Sequence, residues 1–330
     1  MTTSFPPVVL VMGPTASGKT NVAVELAQRI HGEIVSVDSV TVYRDMNIGA
    51  AKPDAATLSV AAHHLIDIID PTERYSAATF RRDALAVMAD ITARGKRPIL
   101  AGGTMLYFKA LLEGISLLPG ADPDLRAEID ARAARDGWAT LHAELAELDP
   151  VTAARLEPAD AQRIQRALEV CYLTGTAMSQ QFGARETNPI PYRVLPIALL
   201  PSDRKALHQR IDLRFTAMLD QGLIEEVQQL KQRYDLQPSL PAMRAVGYRQ
   251  AWEYLDGQFD RNALVARGVA ASRQLAKRQL TWLRSMSELV VFDCLEPGLA
   301  AHVAAYAGCW LEKLWPESRM ALGQPLDNAS

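Results

Sequence analysis

The stretch VVLVMGPTASGKT (residues 8–20) decides the fold of this chain. Five apolar residues in a row, Val8 to Met12, form a short strand of the kind that is buried on both faces of a parallel sheet. The eight that follow, Gly13, Pro14, Thr15, Ala16, Ser17, Gly18, Lys19 and Thr20, fit G-x4-G-K-[ST] at every position. The glycines permit backbone dihedrals that turn successive N–H groups toward an anion. Lys19 adds a mobile positive charge, and the Thr20 hydroxyl can ligate Mg²⁺. A helix is predicted over 19–30, with Val22, Leu26 and Ile30 on one face and Gly32 ending it; its N-terminus aims a positive dipole at the same spot. A bare glycine turn is the competing explanation, and the strand before and helix after argue against it. The motif specifies a phosphate-bearing ligand and leaves the reaction open.

Working outward, residues 33–37 read as a second strand with Asp38 at its carboxyl end. A helix near 76–94 follows, then a strand over 97–101, a break at Gly102-Gly103-Thr104 and a helix over 105–113. Strand and helix alternating through short connections mean a parallel, doubly wound sheet. From 122 to 182 the pattern is helical, rich in Ala, Arg and Glu, with turns at Asp149-Pro150 and Glu157-Pro158. Residues 193–200 look like a strand returning to the sheet. Helices then dominate to 285, 289–292 is a short strand and 298–315 a closing helix. The predicted fold class is therefore α/β, a P-loop parallel-sheet core with a helical insertion domain. The expected boundaries are 1–115 for the first part of the core, 116–192 for the insertion, 193–316 for the return to the core with a basic helical part, and 317–330 for a flexible tail.

Composition bounds the function. Of 330 residues 48% are apolar and 22% charged, enough for a full core, and the net charge of −3 gives no global sign of nucleic-acid binding. Cys171, Cys294 and Cys309 are too scattered for a disulfide framework or a zinc site. The first residues lack a basic n-region, and no apolar run approaches the ~20 residues of a membrane span, so a cytoplasmic protein without membrane contact is expected.

Charge is nonetheless unevenly placed. Between Arg244 and Arg284 lie eight basic residues and three acids, a local excess of five. On a helix, Arg273, Lys277 and Arg284 fall within roughly 40° of one another, beside an apolar face of Ala276, Leu280 and Leu283. Such a stripe can be a solvated helix face. Tyr248, Trp252 and Trp282 interleave with it, however, which suits backbone contacts with base stacking. Gln162-Arg163-Ile164-Gln165-Arg166 makes a second basic cluster on the predicted insertion. Two basic surfaces beside a phosphate loop suggest a polyanionic second substrate. Asp38, at the strand end where α/β folds place ligands, is a turn cap, a magnesium ligand or a general base. The Walker-B-like run at 289–293 reads as a core strand. His63-His64 reads as packing and hydrogen bonding.

Nine ordered segments carry a resemblance. They are GPTASGKT (13–20), VDSVTVYRDMNIGAAKP (37–53), HHLIDIIDP (63–71), YSAATFRRDA (75–84), GGTMLYFKALLEG (102–114), ADAQRIQRALEV (159–170), LHQRIDLRFTAML (207–219), RAVGYRQAW (244–252) and RQLAKRQLTWLR (273–284). Over nearly its whole length the chain resembles the bacterial tRNA dimethylallyltransferases, also called tRNA isopentenyltransferases. It departs from their usual pattern in having Asp38-Ser39-Val40-Thr41 for DSA(L/Q) and IGAAKP for IGTAKP.

The resemblance implies transfer of a dimethylallyl group from dimethylallyl diphosphate to N6 of the adenosine 3′-adjacent to the anticodon, with Mg²⁺ as cofactor and the tRNA anticodon stem-loop as partner. The phosphate loop would hold the diphosphate, although family members are often labelled ATP-binding. Asp38 would be the base near N6, Thr104 would sit beside the reacting centre, and Arg214 would hold the diphosphate with Lys19 and Thr20. Contacts to tRNA are implied for Asp38, Ser39, Val40, Thr41, Thr104 and Arg126, and for Gln162, Arg163, Ile164, Gln165 and Arg166. They are implied also for Arg244, Ala245, Val246, Gly247, Tyr248 and Arg249, and for Lys277, Arg278, Gln279, Leu280, Thr281, Trp282, Leu283 and Arg284. A monomer is expected. A nucleotide or small-molecule kinase is the main rival reading; it has no use for a basic C-terminal half. A non-catalytic RNA-binding ATPase would not need Asp38 and Thr104 beside the loop. A prenyltransferase acting on free adenylate would not need two basic surfaces.

Overall fold

The computed structural model describes residues 5–114, 118–181 and 189–314. Strand β1 (Pro7–Met12) leads into α1 (Lys19–Ile30) and β2 (Gly32–Val37). Next come α2 (Ala55–Val60), β3 (His63–His64), α3 (Ala77–Ala93), β4 (Arg97–Gly102) and α4 (Met105–Glu113). A run of helices follows: α5 (Pro123–Asp136), α6 (Trp138–Leu148), α7 (Pro150–Ala153), α8 (Ala161–Thr174) and α9 (Met178–Gln181). Then come β5 (Arg193–Leu200), α10 (Arg204–Asp220), α11 (Leu223–Arg233), α12 (Tyr248–Leu255), α13 (Arg261–Ser285), β6 (Val290–Asp293) and α14 (Leu299–Leu314).

All six strands join one parallel sheet in the order β3-β2-β4-β1-β5-β6. β1 is central, between β4 and β5, which is why Val8 to Met12 can be apolar throughout and almost fully buried. On one face, Val22, Ala23, Leu26, Ala27 and Ile30 of α1 pack with Leu299, Val303, Ala304, Ala307 and Leu311 of α14 against the sheet. The parallel sheet and phosphate loop agree with the predicted class.

Local differences have local causes. His31, not Gly32, ends α1: it takes the left-handed conformation at φ 50° and its N–H donates to Ala27 O, while Gly32 already pairs in β2. The two-residue strand β3 and the six-residue α2 were not expected. His63-His64 pairs with Ile34 and Val35, and His64 Nε2 lies 2.7 Å from Glu33 Oε2, so packing and hydrogen bonding account for the histidine pair. Glu33 is buried and also takes a two-pronged contact from Arg94 (2.5 and 2.7 Å) and one from Lys96 (2.6 Å). Those three side chains, Arg94 foremost, hold its carboxyl far below the usual range. The run at 289–293 holds the edge strand β6 (Val290–Asp293) with Val291 exposed, not the core strand expected, and its Asp293 accepts from the Ser202 and Leu295 amides, a structural task and not a Walker-B role.

The chain divides into two compact units, one running to Ala110 and resuming at Pro191, the other Leu111–Ile190. The second has its own core, built from Ile129, Ala133, Leu141, Leu145, Ile164, Ala167 and Leu168. The tail read at 317–330 lies outside the described residues.

Candidate active site

The phosphate loop lies between the end of β1 and the start of α1. Gly18 caps the helix at φ 81°, a left-handed backbone that strains any residue with a Cβ. It offers no side chain to the first-turn amides, and no acid sits in that turn, so the helix N-terminus stays open to an anion. Lys19 Nζ is folded onto Pro14 O at 2.6 Å. The Ser17 hydroxyl is buried without a hydrogen-bond partner. Thr20 is exposed beside them.

Across the sheet edge stands the 38–41 turn. Asp38 Oδ1 accepts from Val40 N at 2.8 Å, so the cap reading holds, yet the carboxylate also feels two cations. Burial pushes the Asp38 carboxyl up, against the pull of Lys19 and Arg214. Burial also brings the Lys19 ammonium down to about 8, helped by the like charge of Arg214. The Arg214 guanidinium, on α10, is lowered by burial and supported by Asp38. Three charged groups from three parts of the sequence, each half-buried, thus act on one another in one partly dehydrated spot, where electrostatic effects exceed those in water. Thr104 joins them through the turn: its Oγ1 accepts from Ser39 N at 3.1 Å. Its own amide donates to Val37 O at 3.1 Å, which ties the start of α4 to the end of β2.

Thr20 and Arg214 open onto a cavity of about 690 Å³, walled by Asn47, Ile48, Lys52, Ile66 and Met218 among others. Its mixed polar and apolar lining suits a ligand with an anionic head and a short hydrocarbon tail. The 47–50 loop in that wall is held by one carboxylate. Glu226 of α11 accepts from Asn47 N (2.8 Å), Ile48 N (2.7 Å), Gly49 N (3.2 Å) and Tyr248 OH (2.7 Å). Tyr248 OH in turn accepts from Ala50 N at 3.1 Å. Because the loop is gripped through its backbone, the alanine at position 50 that departs from the usual IGTAKP costs none of these bonds.

Among the described residues no group of three or more His, Cys, Asp or Glu could hold a metal by itself. The oxygens available are hard: the Thr20 hydroxyl lines a small cavity with Asp38, Ser36 and Thr41. Such a donor set fits Mg²⁺, which commonly takes one or two protein ligands and fills its shell with phosphate oxygens and water.

A family model described as IPP transferase matches residues 41–286. The chain belongs to the IPP transferase family. It is 59% identical over 304 residues to the tRNA dimethylallyltransferase of Azoarcus sp. (strain BH72), covering 91% of this chain and 95% of that one. It is also 59% identical over 310 residues to the enzyme of the same name from Thiobacillus denitrificans, covering 94% and 99%. Among solved structures, the tRNA isopentenylpyrophosphate transferase of Bacillus halodurans superposes with a TM-score of 0.68 at 35% identity over 96% of this chain and 99% of its own. A eukaryotic dimethylallyltransferase studied acting on tRNA gives 0.78 at 25% identity over 93% and 80%.

Within this family member the residues read as tRNA contacts fall into two groups. Lys277, Arg278, Thr281, Trp282 and Arg284 are exposed along α13, and Arg244 and Arg249 are exposed near α12. Ala245 and Val246 are half-buried beside them. Other side chains face inward and cannot meet RNA directly. Gln279, Leu280 and Leu283 are buried on α13, Ile164 is core on α8, Thr41 is buried against Ser36, and Gly247 is buried at the cap of α12. Tyr248 is fully buried on Glu226, which corrects its reading as a base-stacking residue. Trp252 is buried with Lys231 Nζ 4.1 Å from its ring, whereas Trp282 remains exposed with Lys109 at 5.3 Å.

In the second unit, Gln162 and Arg163 are exposed, but Arg126 and Arg166 both clasp the buried Glu169 carboxylate at 2.6–2.9 Å, and Gln165 reaches Asp130 at 2.6 Å. Those arginines are structural partners there as well as positive charges.

Sequence reasoning missed Glu226, which shapes the site, and gave Gln279 only as a tRNA contact implied by the resemblance. Glu226 gave no signal, since its backbone partners lie about 180 positions away and Tyr248 lies on another helix. Gln279 had one: at i+3 from Ala276 it lies on the apolar face of α13, and a polar residue there must find buried partners.

Proposed function

We propose that the protein transfers a dimethylallyl group from dimethylallyl diphosphate to N6 of the adenosine 3′-adjacent to the anticodon of tRNA, releasing diphosphate. The observation that carries this reading is that Lys19 and Asp38 line one small cavity and Arg214 the adjoining 690 Å³ cavity, with Thr20 on both, so that the three half-buried charges act on one another. Two cations suit a departing diphosphate, and a carboxylate with a raised pKa suits a proton leaving an amine.

The allylic C1–O bond of the donor breaks as N6 forms a bond to C1, and the electron pair leaves with the diphosphate. Charge then grows on the leaving oxygens, where Lys19, Arg214 and the open amides of α1 act on it. Thr20 would hold Mg²⁺, which adds neutralising charge on those oxygens. The exocyclic amine of adenine is a weak nucleophile because its lone pair is conjugated with the ring. Asp38 orients it and takes its proton as the C–N bond forms. Thr104 keeps the 38–41 turn in place through Ser39 N. The adenosine must leave its stack to reach this site, and the apolar part of the cavity wall, Ile48, Ile66 and Met218, helps keep water from the cation-like carbon.

On this reading the exposed bases of α13 grip tRNA phosphates, and the second unit contributes its exposed Gln162 and Arg163. Each chain carries Lys19, Asp38, Thr104 and Arg214 itself, so a monomer is complete, and light scattering tests that. Among the described residues no helix is long and apolar enough to cross a membrane. We infer a cytoplasmic reaction from a tRNA substrate.

Mass spectrometry of nucleosides from tRNA incubated with the protein, dimethylallyl diphosphate and Mg²⁺ tests the proposal. A dimethylallyl adduct on one adenosine is expected, and excess chelator should abolish it. Phosphate transfer from labelled ATP, with no prenylated nucleoside, would instead establish the kinase reading.

A further inference from the structure

Gln279 sits in the middle of α13, 8% exposed, between exposed Arg278 and core Leu280. Both ends of its carboxamide are used. Oε1 accepts from Thr15 N of the phosphate loop at 2.8 Å, and Nε2 donates to Gly103 O at 2.8 Å. Position 103 has to be glycine for this: a Cβ there would stand 2.4 Å from Nε2. One side chain thus links the donor-side loop, 264 residues away, to the residue that precedes Thr104.

The first bond has a chemical consequence. In a phosphate loop the amides converge on the anion, but the Thr15 amide is drawn instead to Gln279. Gln279 therefore sets which amides remain for the diphosphate and how the loop is tilted. The second bond fixes the Gly103 peptide, whose far side carries the Thr104 hydroxyl that holds the 38–41 turn.

We propose that Gln279 is a positioning residue that locks the diphosphate-binding loop and the Thr104–Asp38 side of the site into one geometry, and that it does so from the helix whose outer face carries Lys277, Arg278 and Arg284. The family resemblance groups Gln279 with the tRNA contacts; the geometry gives its side chain a different task. The inference rests on the prenyl-transfer reading for its kinetic consequence, though not for the clamp itself.

Two variants and two readouts test it. In Gln279→Leu both bonds are lost without adding charge. The single-turnover rate is expected to fall about 10–100-fold while the Kd for tRNA changes less than about threefold. In Gln279→Glu the ionised carboxylate still accepts from Thr15 N but faces Gly103 O with no proton. When protonated, its C=O accepts and its O–H donates, which restores the original pattern. Its rate relative to the parent should therefore recover as pH is lowered, a rescue that a merely space-filling residue would not show.

Independently of any activity, hydrogen–deuterium exchange at the Thr15 amide should quicken at least about tenfold in Gln279→Leu. If either variant fails to fold, Gly103→Ala displaces the carboxamide with Gln279 still present, and the same loss of rate and of Thr15 protection is expected. A Gln279→Leu protein that loses tRNA affinity and keeps its single-turnover rate would overturn the inference, as would unchanged exchange at Thr15. Absence of prenyl transfer by the parent protein would sink the functional reading, while the exchange result would still decide the clamp.

Discussion

Arg273 on α13 forks onto Asp212 on α10, its Nε 3.0 Å from Oδ1 and a second guanidinium nitrogen on Oδ2. Of the three residues aligned as a basic stripe by helical periodicity, this one is already neutralised. Among the described residues no ion pair involves Lys277, Arg278 or Arg284, and all three are exposed.

The salt dependence of tRNA binding should separate these roles. Replacing Lys277, Arg278 and Arg284 together by Ala is expected to weaken tRNA binding and flatten the log Kd against log salt slope by up to ~2–3 units. Arg273→Ala should change that slope far less and cost no more than about 1 kcal/mol of stability, as for other half-exposed pairs. Filter binding from low to moderate salt measures the slope. Donor affinity should stay near that of the parent in both variants.

Lys19→Ala should slow turnover by at least ~10²-fold, the usual loss when one preorganised charge on a leaving group is removed. In the intact protein the ammonium titrates at about 8, first through burial and then through Arg214. The charged form is the one that binds diphosphate, so donor affinity is full below that pH. Above it, affinity should fall by up to about tenfold per pH unit. Arg214→Gln removes the neighbouring positive charge and should move that inflection upward, while weakening binding at every pH. Calorimetric titration with a donor analogue across pH 6.5–9.5, a span of about three units chosen around that value, reads both effects.

Asp38→Ala should cut the single-turnover rate by about 10²–10⁴-fold, the range for a positioned general base, and leave tRNA affinity much less affected. Burial raises the carboxyl, so the parent rate should begin to fall on the acid side at a higher pH than an ordinary carboxylate would cause. Asp38→Asn should abolish that acid limb. Loss of tRNA binding with an intact chemical step would make Asp38 a binding residue only.

Glu226→Ala leaves the Asn47, Ile48 and Gly49 amides and the Tyr248 hydroxyl without their acceptor. With unsatisfied buried groups costing about 1–3 kcal/mol each and partial relief by water, a loss of about 2–4 kcal/mol is expected in denaturant unfolding. Since the loop walls the donor cavity, the KM for the donor should rise more than kcat falls. Glu226→Gln keeps one acceptor oxygen but turns an NH2 toward donors at the other, so it should recover only part of the stability.

What was legible in the chain follows from how far each interaction reaches. The strand-loop-helix of 8–30 declares itself because its chemistry is local: an apolar run, two glycines, Lys19 and Thr20. Asp38 is legible from its place at a strand end. His31 was missed because a left-handed histidine has no pattern, and Gly32 next to it looked the better helix stop. β3 is two residues long, too short for any period. α2 did carry a signal, Asp54 capping Thr57 N at 2.8 Å, but six residues with no buried side chain leave no apolar stripe. Tyr248 was misread because an aromatic among arginines looks exposed, whereas its partner Glu226 is 22 positions away on another helix.

The strand order also has a consequence for how the protein is made. β1 lies between β4 and β5, and the apolar side of α1 is covered by α14, near the far end of the described chain. A ribosome therefore delivers the phosphate loop long before β5 and α14, which support it. Until residues 193–200 emerge β1 has one bare edge, and until 299–311 emerge α1 and the sheet beneath it show an open hydrocarbon face. Such nascent chains fold late and invite chaperones, because their pairings span most of the sequence. The Thr15 amide waits for Gln279, so the loop that recognises its ligand is set only after 264 further residues have been made.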